Sequence, residues 1–325
     1  MEVSFRRVDW PFAATFRIAY RSQNVAESVQ VEVREGVHVG RGEGLCVAYH
    51  GETPESLLQQ LADVRNDLVN GLTREALQSL VPPGGARNAI DCALWDLQAK
   101  RYGRRAWELA GLASVKTLVT AYTLTMDTPE AMARAAAAVP RYSLLKLKLS
   151  GEGDVARVTA VRETRKDAAI VVDANQSWTP RQLEEVAPRL ATLGVQLIEQ
   201  PLPSGEDAFL REFVSPVPLC ADESCQDTDS LAGLVGKYQY VNIKLDKTGG
   251  LTEALRLVRA AQNGNLKLMV GCMGGSSLSM APGFIIGQFC DIVDLDGPLL
   301  STGDVPNGIF YEGSRMSAPE AALWG

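Results

Sequence analysis

Six charged residues recur from residue 148 onward at intervals of 25, 26, 23, 22 and 50: Lys148, Asp173, Glu199, Asp222, Lys244 and Asp294. Each closes a short apolar run, as in Val171-Val172-Asp173, Leu197-Ile198-Glu199 and Val241-Asn242-Ile243-Lys244. Intervals of this length accommodate one strand, one helix and two connections. Candidate strands fall at 118–124, 144–149, 169–173, 195–199, 218–222, 240–244, 266–270 and 292–295. Helix starts lie between them: Thr128-Pro129-Glu130 and Thr179-Pro180 each place a capping hydroxyl before a first-turn proline, and Leu251–Leu255 follows a Gly249-Gly250 break. Eight strands alternating with helices predict a (β/α) barrel, in which consecutive strand ends meet on one rim. The six charges therefore converge, which is costly unless they pair or bind an ion.

Upstream the pattern is different. Ser28–Val33 alternates with strict period two, Arg34-Glu35-Gly36 ends it, and Val37–Cys46 reads as a return strand, so residues 1 to about 50 predict an antiparallel sheet. Within it, Gly40-Arg41-Gly42-Glu43-Gly44 lacks the spacing and the following helix of a nucleotide loop and reads as a turn. Helices open at Thr53-Pro54 and Thr73-Arg74, Pro82-Pro83-Gly84-Gly85 breaks the pattern, and apolar residues return at helical spacing from Ala89 to Leu97. The expected organisation is an α+β unit over 1–115, the barrel over 116–297, and an irregular tail over 298–325 returning to the first unit, with the eighth barrel helix missing or shortened.

The converging side chains specify a chemistry. Asp173, Glu199 and Asp222 come from three adjacent strands and form an oxygen-rich site suited to Mg²⁺, with Mn²⁺ as a substitute. A His-rich zinc site is excluded, because the chain has two histidines, His38 and His50, both in the N-terminal region. In Leu144-Leu145-Lys146-Leu147-Lys148-Leu149 the two lysines share one face. An exposed edge strand would give the same pattern, but the second strand of a closed barrel has no free edge. Lys244 ends the sixth strand, opposite the second. A substrate carboxylate held at the metal would present its α-carbon between two amines, each acting as base for one enantiomer and acid for the other, provided their pKa values are drawn toward neutrality by the metal and by Lys146. The implied reaction is a 1,1-proton transfer, racemisation or epimerisation.

Composition narrows the partners. A net charge of −7 without a basic block, and 6% aromatic residues, disfavour nucleic acid or an anionic membrane. The longest apolar runs are too short to cross a bilayer, and Met1–Arg7 lacks the order of a secretory signal, so a cytoplasmic protein is expected. Six scattered cysteines without Cys-x-x-Cys spacing read as buried free thiols. Homo-oligomerisation is compatible with all of this.

The Lys-x-Lys strand, the Asp173, Glu199, Asp222 series and Lys244 resemble the enolase superfamily, in particular its muconate lactonising subgroup, over nearly the whole chain. Arg87–Leu97, Asn242–Gly250, Gly271-Cys272-Met273 and Asp294-Leu295-Asp296-Gly297-Pro298 are further points of resemblance. The resemblance implies a modified TIM barrel, (β/α)₇β, with an α+β capping domain. It also implies roles: Lys148 and Lys244 as the two bases, Lys146 polarising the substrate carboxylate, Asp173, Glu199 and Asp222 as Mg²⁺ ligands, and Asn175 and Glu223 orienting them. Asp294-x-Asp296 resembles the pair that holds the α-ammonium group in dipeptide epimerases, since two such carboxylates would otherwise lack a cationic partner. The implied activity is dipeptide epimerisation of the L-Ala-D/L-Glu type, in recycling of cell wall peptides. Arg21, in Ile18–Asn24, is the candidate partner for a glutamate side chain, although Gln23 or Asn24 falls at the usual place. The small residues Gly274-Gly275-Ser276-Ser277 suggest room in that pocket. A cycloisomerase or o-succinylbenzoate synthase on the same scaffold, using one lysine, and a catalytically silent ligand-binding barrel remain alternatives.

Overall fold

The computed structural model describes residues 1–325. An antiparallel sheet of three strands, Glu2–Ile18, Arg21–Glu35 and His38–Leu45, opens the chain, and the helix Gly85–Tyr102 packs across it. Val29, Val31 and Val33 alternate onto the face that meets Leu57, Leu61, Ala89, Ile90 and Ala93. The glycine-rich stretch read as a turn is instead the middle of the third strand. A Cβ on Gly40, Gly42 or Gly44 would lie 2.1 Å from Ala93 O, 2.1 Å from Ala89 O and 1.9 Å from Gly85 O, respectively. Glycine at every second position thus clears one strand face so that the helix backbone can rest directly on it.

The second sheet has eight parallel strands: Tyr122–Leu124, Leu144–Lys148, Ala169–Asp173, Val195–Glu199, Leu219–Ala221, Tyr240–Ile243, Lys267–Val270 and Ile292–Val293. They pair in chain order, and a parallel bridge between Thr120 and Val293 brings the last beside the first. The expected first strand is divided. Leu118–Val119 pairs with Arg315–Met316 in a separate small sheet, and only Tyr122–Leu124 joins the barrel. Helices cover the outside, and after the eighth strand only the single turn Gly297–Leu300 remains. No helix is long and apolar enough to cross a membrane.

Inside the barrel, Val171, Leu197, Cys220 and Met269 form an apolar floor. Asp173, Glu199 and Asp222 lie two residues beyond the first three, and the two-residue period of a strand turns them toward the same interior one layer higher. Polar contacts clamp the N-terminal sheet and its helix to this rim. Arg87 donates to the Thr248 and Gly249 carbonyls at 2.7 and 3.2 Å. Asp246 Oδ1 accepts from Leu45 N and Asn88 Nδ2 at 2.8 and 2.7 Å. Glu43, fully buried, accepts from Trp10, Gln30 and the amide of Ser276 at 2.9, 3.0 and 3.1 Å. The last residues run back to the same helix, where Trp324 Nε1 donates to Cys92 O at 3.1 Å and Gly325 N to Asp96 at 2.7 Å.

Candidate active site

Every carboxylate and lysine expected at the strand ends is buried in one cluster. Lys148 Nζ lies 2.6 Å from Asp173 Oδ2, and Lys244 Nζ lies 2.7 Å from Asp222 Oδ2. Lys146 Nζ reaches three acids, Glu199 at 2.7 Å, Asp294 at 2.8 Å and Asp173 at 3.3 Å. Ligand oxygens of Asp173, Glu199 and Asp222 all fall within 4.8 Å of one another. Glu199 Oε2 is fully buried, and its ion-pair partner, the Lys146 ammonium, lies 2.7 Å away, outside hydrogen-bond geometry. Three convergent, buried carboxylates fit a hard divalent cation bound through oxygen.

The electrostatics follow from burial and from these pairs. Burial opposes the charge of Asp222, yet Lys244, Lys247 and Lys146 hold its carboxyl well below the usual range. Asp173 is likewise held down by Lys148 and Lys146 against burial. Glu199 goes the other way: burial and the Asp173 charge push it up to about 7. Burial, with Asp222 beside it, pushes Glu223 up to about 8. Burial pulls Lys244 down, but Asp222 carries it well above its ordinary value, and the acids around Lys146 do the same there.

Asp294 and Asp296 differ in their partners. Asp294 Oδ2 pairs with Lys146, so it does not lack a cation, contrary to the argument made from sequence. Asp296 Oδ2 accepts the Thr123 amide at 2.7 Å, and burial together with the Asp294 charge raises its carboxyl to about 7. Asn175 Nδ2 donates to Glu223 Oε1 at 3.4 Å, and Asn175 N donates to Asp173 Oδ1 at 2.9 Å.

The turn Ala19-Tyr20 between the first two strands closes over the rim. Phe16 places its ring 5.9 Å from Lys148 Nζ, Arg17 O accepts from Met126 N at 3.1 Å, and Pro11 O accepts from Thr302 N at 2.8 Å. Arg21 begins the second strand and lines the same cavity as Tyr20, Tyr49 and the lysines. With its side-chain oxygen turned toward Arg21, the Gln23 amide accepts from that guanidinium, 2.8 Å from Nη1. Gly274 and Gly275 do not leave spare room. A Cβ on the first would lie 3.3 Å from Ala26 Cβ, and one on the second 3.0 Å from Glu43 Oε1, so their smallness lets the N-terminal sheet approach the barrel.

Sequence reasoning missed Lys247, which is fully buried and 2.6 Å from Asp222 Oδ1. Its signal was the Lys244-x-x-Lys247 spacing, which one helical turn, Leu245–Thr248, brings onto the strand end. It also missed Gln200, whose Oε1 accepts from Asp222 N at 2.8 Å. That residue has φ of +34°, a strained conformation for a non-glycine, at the end of the strand that carries Glu199.

Comparison with known proteins agrees with this architecture. Residues 1–111 match the family described as "Mandelate racemase / muconate lactonizing enzyme, N-terminal domain", and residues 130–320 match "Enolase C-terminal domain-like". The L-Ala-D/L-Glu epimerase of Escherichia coli (strain K12) is 43% identical over 300 residues, 91% of this chain and 93% of that protein. The N-acetyl-D-glutamate racemase of a Pseudoalteromonas species is 48% identical over 249 residues, 77% of this chain and 79% of that protein. Among solved structures, an enolase family member from Agrobacterium tumefaciens with homology to dipeptide epimerases, with bound sodium and L-Ala-L-Glu, superposes with a TM-score of 0.97. It is 41% identical, and 99% of each chain is covered.

Proposed function

This chain belongs to the enolase superfamily, with the paired domains of the mandelate racemase and muconate lactonizing enzymes, and on that premise we propose that it is an isomerase that epimerises dipeptides. The proton moved is the one on the α-carbon of the C-terminal residue. The observation that carries the reading is the placement of Lys148 and Lys244 on strands two and six of an eight-strand order, half a turn apart, with the carboxylates on the strands between.

Each lysine addresses one face of the substrate. The neutral amine on one side takes the α-proton, and the ammonium on the other returns one, so the configuration inverts and the reverse assignment runs the reaction backward. Lys146 draws negative charge onto the substrate carboxylate. Mg²⁺, or Mn²⁺ in its place, held by Asp173, Glu199 and Asp222 would supply the positive charge that stabilises the enediolate form of that carboxylate. Asn175 and Glu223 hold the acids in place. Asp296, with Asp294 behind it, takes the α-ammonium group, and Arg21 pairs with an acidic side chain on the second residue. The preferred substrate is of the L-Ala-D/L-Glu type, and the setting is turnover of murein peptides in the cytoplasm.

Incubation with L-Ala-L-Glu and Mg²⁺ in D₂O tests this. Deuterium at the glutamate α-carbon is expected, and its complete absence with every dipeptide tried would defeat the proposal.

One observation favours a second reading, racemisation of an N-acyl amino acid. Asp294 already has Lys146, and an Asp296 carboxyl raised to about 7 can keep its proton and donate to an acyl oxygen. The 48% identity to the N-acetyl-D-glutamate racemase is in keeping with it. N-acetyl-L-glutamate run beside L-Ala-L-Glu separates the two readings.

A further inference from the structure

Each of the three clustered carboxylates has one oxygen held by the protein from behind. Asp173 Oδ1 accepts the Asn175 amide at 2.9 Å, Glu199 Oε1 accepts Asn242 Nδ2 at 2.8 Å, and Asp222 Oδ1 takes Lys247 Nζ at 2.6 Å. The other oxygen of each faces a lysine at the centre of the cluster: Asp173 Oδ2 meets Lys148, Asp222 Oδ2 meets Lys244, and Glu199 Oε2 lies 2.7 Å from Lys146 Nζ. Lys247 has no freedom left. Its remaining N–H groups donate to the carbonyls of Asp222 and Asn242 at 2.5 and 3.0 Å, so all three donors of a fully buried ammonium are used. Turning Asp222 Oδ1 into the cluster would strain that contact, and Asn242 holds Glu199 Oε1 in the same way.

We infer that Lys247 and Asn242 are positioning residues that restrict Asp222 and Glu199 to one metal-facing oxygen each, and so make the centre favour a small octahedral cation over a large one. Three single oxygens suit Mg²⁺, which requires six close ligands and keeps waters among them. Ca²⁺ takes six to eight oxygens and gains from a carboxylate that offers both of its own. The inference rests on the metal centre proposed above and adds the residues that select the ion.

Calorimetric titration of Mg²⁺ and Ca²⁺ into the wild-type protein, Lys247→Met and Asn242→Leu tests it without reference to turnover. Either substitution frees one carboxylate oxygen, and the affinity for Ca²⁺ relative to Mg²⁺ is expected to rise about tenfold or more. A purely structural role would lower the melting temperature and leave that ratio where it was, so an unchanged ratio in a folded variant overturns the inference. If neither variant folds, crystals of the wild-type protein grown with each cation decide. Asp222 Oδ1 remaining on Lys247 and Glu199 Oε1 on Asn242 supports the inference, and either carboxylate chelating Mg²⁺ with both oxygens overturns it. Wild-type protein that binds neither cation would remove the metal centre itself, an outcome distinct from an unchanged ratio.

Discussion

The Lys146 ammonium lies 2.8 Å from Asp294 Oδ2, joining the second barrel strand to the loop after the eighth. Asp294 therefore shares one cation with Glu199 and Asp173, whereas Asp296 forms no ion pair.

If Asp296 holds the ammonium group of a dipeptide, Asp296→Asn removes a charge-assisted hydrogen bond of about 1.5–3 kcal/mol. The KM for L-Ala-L-Glu is expected to rise about tenfold to a hundredfold, with a smaller effect on N-acetyl-L-glutamate, which has no ammonium group. Equal loss for both substrates in steady-state kinetics would show that Asp296 does not read that charge.

Asp246 offers a pH test at the seam between the sheet and the barrel. Burial raises its carboxyl to about 7, even though Leu45 N and Asn88 both donate to it. In the unfolded chain it titrates near ~3.9. A raised acid favours folding below the unfolded value, and that contribution is lost as pH climbs to the folded one, so stability falls between about pH 4 and 7. Asp246→Asn keeps an oxygen for both donors and removes the buried charge. Urea denaturation of the variant should lack this decline and match or exceed wild-type stability at pH 8. A steeper decline than wild type would contradict the assignment.

Gly42 tests the direct contact of helix and strand. An alanine there would place its Cβ 2.1 Å from Ala89 O, a backbone atom that cannot step aside. Gly42→Ala is expected to cost about 1–3 kcal/mol or more through overpacking. An unchanged melting temperature would mean that the helix does not rest on the strand.

The periodic acids and lysines were legible because a barrel converts a sequence interval into a shared rim, and a two-residue strand period then sets the side that Lys146 and Lys148 face. The Gly40 to Gly44 stretch was not, since glycine in a loop and glycine beneath a helix have one signature and differ only in what approaches them. Lys247 was missed for a related reason. A lysine in a helical turn reads as solvent-exposed until its three acceptors, supplied by residues 222 and 242, are in view. Glu43 joins donors from two neighbouring strands, Trp10 and Gln30, to Ser276, 233 residues away, a contact no local pattern encodes.

The central claim is that Lys148 and Lys244 serve opposite faces of one α-carbon. Solvent deuterium exchange into L-Ala-L-Glu and L-Ala-D-Glu, followed separately with Lys148→Ala and Lys244→Ala, tests it most directly. Each variant is expected to lose exchange from one epimer by about 10²–10⁴-fold, and the two variants to lose opposite epimers. Two-way epimerisation retained by either variant would contradict the account.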